Sequence, residues 1–178
     1  MRKINTILAR IILFLLVVHS FMGCLLMLGW SNITLKPLSY LLLGIVCFHA
    51  ILSILSSVSS IQIGFKSRKW YFKENVSFWI KRITGILILI LVWFHISAYT
   101  TVVDGKFFLQ EFTFIKLISQ LSLALCIFIH VGVSLKSLFI VSVNIDFKEK
   151  KVDGLLVISI FMIFVVFAIL SYYIQWQV

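Results

Sequence analysis

The chain has 178 residues, 62% of them hydrophobic and only 12% charged, a balance that excludes a soluble globular domain of this length. Its formal charge of +10 does not point to nucleic acid, because the basic residues gather in alternate connections between apolar runs. Lipid is therefore expected to be the main solvent.

A helix needs about 20 apolar residues to cross the hydrocarbon layer, and five stretches reach that length. They lie near residues 8–30, 37–60, 79–102, 113–138 and 154–176. The first follows Arg2, Lys3 and Arg10 in the manner of a secretion signal. It runs on to Trp30, lacks a small-residue cleavage pattern and contains His19, so it is expected to persist as a span. The second opens on Pro37, the only proline, which suits the first turn of a helix, and carries Gly44, Cys47 and His49. A basic and aromatic connection follows, with Lys66, Arg68, Lys69, Trp70, Tyr71 and Lys73. The third span enters through Lys81, Arg82 and Gly85 and carries His95. The fourth holds Cys126, His130 and Gly132, and the fifth has no histidine.

Arg2, Lys3, Arg10, the basic residues from Lys66 to Arg82, Lys136, Lys148, Lys150 and Lys151 all fall on one side. Only Lys36, Lys106 and Lys116 fall opposite. The positive-inside bias puts the N-terminus in the cytoplasm and, after five crossings, the C-terminus outside. Trp30, Tyr99 and Trp176 then mark the outer interface, and Trp70, Tyr71 and Trp79 the inner one. The expected architecture is all-α: one domain over residues 1–178, an integral membrane bundle of five transmembrane helices. Cys24, Cys47 and Cys126 lie inside spans with no haem-attaching Cys-x-x-Cys-His, and read as small apolar residues.

The four histidines, His19, His49, His95 and His130, all fall inside spans, one on each of the first four. An imidazole in hydrocarbon is costly unless paired or ligated. Any one of them alone could be a neutral ring bonded to a neighbouring helix. Four together, spread over four helices, match what two bis-histidine haems require. His95 lies 13 residues past Arg82, roughly 20 Å from the inner boundary, and His130 six residues before Lys136, roughly 9 Å from it. Those two cannot share an iron. His19 and His49 both lie near mid-membrane, and spacing alone leaves them open. The pairing that joins alternate helices is His19 with His95 for an outer haem and His49 with His130 for an inner one. Gly85, about 15 Å along the helix from His95, has room to face the inner haem, or serves ordinary helix packing. Gly23, Gly44 and Gly132 carry the same two readings. Arg10 and Arg82 are candidates to pair with inner haem propionates, or mark the membrane boundary.

The stretch Phe78-Trp79-Ile80-Lys81-Arg82-Ile83-Thr84-Gly85, with His95 ten residues after the glycine, resembles the Arg-x-Ser/Thr-Gly opening of a helix in cytochrome b subunits of succinate dehydrogenases. His130-Val131-Gly132-Val133-Ser134 is similar to their histidine ligand segments. Five helices with single histidines on the first four look like the single-chain, two-haem anchors of succinate:menaquinone reductases and quinol:fumarate reductases. That resemblance implies a multi-pass protein of a bacterial cytoplasmic membrane, two haem b groups, and menaquinone or ubiquinone as substrate. It implies His19 with His95 at the distal haem and His49 with His130 at the proximal one. It also implies two partners, a flavoprotein subunit with FAD and an iron-sulfur subunit, and residues 61–81 are the candidate docking surface, with anionic lipid as the alternative.

The sequence departs from that pattern at the quinone site. Lys36 and Pro37 stand where some relatives carry an acid, and Ser77 lies five residues before Arg82 rather than four. Asp104 and Glu111 are the only acids in the outer connections, suited to loop solvation or to a quinone proton. Two other classes compete: cytochrome b anchors of nitrate reductase, formate dehydrogenase or hydrogenase type, which tend to place two ligands on one helix, and a haem-free transporter. The latter is weakened by the lack of acids in the first four spans.

Overall fold

A computed structural model describes residues 2–33, 35–67, 75–103, 106–109, 111–139 and 147–177. Five helices, α1 (Arg2–Met27), α2 (Lys36–Ser67), α3 (Val76–Ile96), α4 (Phe114–Phe139) and α5 (Phe147–Gln175), each contain a span of 21 to 25 residues apolar enough to cross a membrane. The chain is thus a multi-pass membrane protein in architecture. Its surface fits that solvent: Ile115 is 81% exposed and Trp93 75%, amid a continuous apolar exterior that water would not tolerate.

Local chemistry sets the helix ends. Gly29 adopts φ 73°, and the bonds Trp30 N to Leu25 O at 2.9 Å and Gly29 N to Leu26 O at 3.1 Å close a left-handed C-terminal cap. The helix therefore stops at Met27, short of the expected Trp30. Gly29→Ala is expected to cost about 1 kcal/mol, the steric penalty of a Cβ in that conformation, measurable by unfolding in detergent; an unchanged midpoint would show that the cap does not hold the helix end. Pro37 lies in the first turn of α2, as expected. Helices α2 and α5 extend beyond their apolar runs, because a helix need not end where hydrocarbon does.

The third helix corrects the expected boundary at 102. It ends at Ile96, and β1 (Thr100–Val103) pairs antiparallel with β2 (Lys106–Leu109), Thr100 opposite Leu109 and Val103 opposite Lys106. The β-branched run Thr100-Thr101-Val102-Val103 favours a strand over a further helical turn. Asp104 and the basic residues between Arg68 and Lys73 lie outside the described residues, as does much of the expected docking segment 61–81.

Helix packing runs α2 on α1, α1 on α5, α5 on α4 and α4 on α3, with α1 also touching α4. Among the described residues, α1 with α3 and α2 with α4 are not close-packed backbone pairs. At the hairpin end, Ala98, Phe112, Leu117 and Ile169 form a buried cluster, covered by Met27, Tyr99, Tyr172, Tyr173 and Trp176.

Candidate cofactor site

Two of the helix pairs that are not close-packed, α1 with α3 and α2 with α4, carry the histidines expected to pair. The rings of His19 on α1 and His95 on α3 stand 6.0 Å apart, centre to centre, with planes at 71°. One metal ion bonded at about 2 Å to a nitrogen of each ring would set the centres about 6 Å apart. On the other pair of helices, His49 on α2 and His130 on α4 lie within electrostatic range of each other and of Arg82.

Each ring's second nitrogen identifies the tautomer. Ser39 Oγ donates to the Leu35 carbonyl at 3.2 Å and lies 3.2 Å from His19 Nδ1. With its proton on that carbonyl, the hydroxyl would face the imidazole as acceptor of an Nδ1–H. Thr84 repeats the arrangement on α3: Oγ1 donates to Ile80 O at 2.7 Å and lies 2.9 Å from His130 Nδ1. His95 Nδ1 donates to Gln120 Oε1 at 2.7 Å. In all three rings the polar partner meets Nδ1, a placement that suits an Nδ1–H tautomer whose Nε2 lone pair can ligate a metal while the far nitrogen is held by an oriented oxygen. His49 differs: its Nδ1 is buried without a hydrogen-bond partner, beside the Asn5 backbone carbonyl.

Around His49 other polar atoms are left over. Asn5 Nδ2 donates to Ser53 Oγ at 3.0 Å, tying α1 to α2, while Asn5 Oδ1 and Arg82 Nε are buried and unbonded. The Arg82 guanidinium lies 4.8 Å from the Phe78 ring centre. Buried polar atoms in this state cost energy unless something polar meets them, and a carboxylate suits the arginine. Arg10 is partly buried on α1, nine residues before His19.

The glycines divide. A Cβ at Gly85 would lie 3.5 Å from His130 Cε1, so this glycine borders the imidazole of the second pair. At Gly132 it would meet Leu155 Cδ2 at 3.6 Å, which makes Gly132 a packing residue between α4 and α5. At Gly23 and Gly44 it would meet nothing within 4 Å, so close helix packing does not require either.

Over the first pair, Tyr99 sits 5.7 Å from the His95 ring and stacks on Phe112 at 5.3 Å and 16°, with Tyr172 5.2 Å from Phe112. Burial pushes the Tyr99 phenol up from its ordinary value, with Tyr172 and Cys24 adding to the shift, so it stays neutral at any physiological pH. A separate crevice of ≈ 70 Å³ between α1, α4 and α5, lined by Leu13, Val17, Phe128, Phe161 and others, contains none of the imidazoles. The side chain of Glu111 is exposed, and its backbone carbonyl accepts a bond from Lys116 Nζ at 2.7 Å. The three cysteines are free, and no cluster of three or more metal-binding side chains occurs among the described residues.

Sequence reasoning passed over Ser39, Gln120 and Asn5. Gln120 carried a usable signal, as an amide inside a membrane span must find a partner; the Ser39 hydroxyl did not, since it also bonds the Leu35 carbonyl at the start of its own helix. No family model matches the chain, and neither a curated protein nor a solved structure does.

Proposed function

We propose that the chain is a two-haem cytochrome b, the anchor subunit of a succinate:quinone or quinol:fumarate oxidoreductase in a bacterial cytoplasmic membrane. One observation carries this reading: three of four intramembrane imidazoles have Nδ1 held at 2.7–3.2 Å by a side-chain oxygen, on helices whose histidine partners lie on elements not packed backbone to backbone. Holding every ring through the same nitrogen leaves Nε2 as the atom available to a metal.

In this reading His19 and His95 hold one haem b, and His49 and His130 the other. Each haem supplies a one-electron carrier between membrane quinone and an iron-sulfur partner. The chain's own residues do the rest. Ser39, Gln120 and Thr84 keep three ligand rings in one orientation and one tautomer, so no proton need leave Nδ1 when charge moves. Arg82, with its Nε unbonded, offers a planar donor to a propionate, and Gly85 adds no side chain beside His130 Cε1. The Tyr99, Phe112 and Tyr172 rings exclude water from the first pair. The charge bias orients the N-terminus toward the cytoplasm, where a flavoprotein with FAD and an iron-sulfur subunit would dock.

The purified chain is expected to contain two low-spin haem b groups, read from the reduced-minus-oxidised spectrum and haem content per chain. A chain that expresses in the membrane but binds no haem would overturn the proposal. Co-purification with a flavoprotein and an iron-sulfur protein tests the choice of complex.

A further inference from the structure

Gln120 is 2% exposed in the second turn of α4, whose own histidine, His130, is assigned to the other pair. Its orientation is fixed at both ends. Nε2 donates to Ser119 Oγ at 3.0 Å, and that hydroxyl donates to the Lys116 carbonyl at 2.7 Å, so the amide cannot flip without losing a bond. Oε1 is left aimed at His95 Nδ1, at 2.7 Å, against 3.2 Å for Ser39 on His19 and 2.9 Å for Thr84 on His130. It is the shortest of the three contacts and the only one whose acceptor is a carbonyl oxygen rather than a hydroxyl.

We propose that Gln120 is a positioning residue that sets the redox potential of the haem bound by His95. This inference rests on the two-haem reading. A strong acceptor on Nδ1 draws the N–H proton toward itself and raises electron density on Nε2, making the ring a better donor to the metal. A better donor stabilises ferric over ferrous iron and lowers the one-electron potential. The asymmetry between Gln120 and the hydroxyls therefore separates the two haems in potential.

The test compares wild type with Gln120→Leu and Gln120→Glu in the full-length chain, measuring haem per chain and the potential of each component by optical redox titration. His95→Leu identifies which component belongs to His95. Gln120→Glu, nearly isosteric, is expected to shift that component about tenfold toward ferric iron, about 59 mV for one electron, and to leave the other unmoved. Gln120→Leu is expected to shift it the opposite way or to release that haem alone. A merely structural amide would move neither potential selectively. Unchanged potentials in both variants, or equal shifts in both components, overturn the role of Gln120 while leaving the two-haem reading intact; a wild-type chain without haem overturns both.

Discussion

Replacing His95 with leucine is expected to halve the haem content, from two per chain to one, and to leave the second component's spectrum unchanged. Its ring is bonded through Nδ1 and faces His19 at 6.0 Å, so the substitution removes one side of that site only. His19→Leu should remove the same component, and His49→Leu and His130→Leu the other. Because leucine leaves Gln120 Oε1 buried without a donor, a stability loss of about 1–3 kcal/mol should accompany the change at His95, and the double variant with Gln120→Leu should recover part of it. Haem extraction and quantification check the stoichiometry. If His19→Leu and His95→Leu removed different components, the pairing would be wrong; full haem content in all four variants would refute ligation.

Phe112→Ala should be the most destabilising core truncation. The ring is 0% exposed and touches Tyr99, Tyr172 and Tyr173 at 5.2–6.5 Å between centres. Removing it leaves a cavity among aromatic rings that lipid does not fill, at a cost of about 3–5 kcal/mol. Ile115→Ala, on a side chain 81% exposed to lipid, should cost far less, since lipid replaces the lost contacts as well as protein does. Unfolding of both variants in detergent checks the contrast, and equal midpoints would mean that the aromatic cap contributes no more than the lipid face.

The bundle was legible because hydrocarbon thickness imposes a length on apolar sequence, and five runs met it. Its ends were less so. Hydropathy registers the slab and not the helix, so the turns of α2 beyond residue 60 and of α5 before residue 154 were invisible to it. Thr100, Thr101 and Val102 counted as membrane when they belong to a strand. The site divides in the same way. Rarity of imidazole in lipid singled out the four histidines; depth kept His95 and His130 apart but left His19 and His49 open, so the alternate-helix pairing was a choice and not a consequence of spacing. What holds the rings depends on contacts between residues 20 to 46 positions apart, which no local pattern encodes. Gly132 makes the point at smaller scale: spacing gave it two roles, and only the neighbouring Leu155 distinguishes them.

Hydroxyls and one amide, rather than carboxylates, face the three oriented imidazoles. An aspartate in their place would bind Nδ1–H more strongly but would make insertion of its helix costlier, by about 2.5–3.5 kcal/mol at a helix centre and by less toward the ends, where Ser39 and Gln120 lie. Neutral acceptors lower that barrier, so each helix can enter the bilayer without an added charge and its hydroxyl or amide meets an imidazole once the helices assemble.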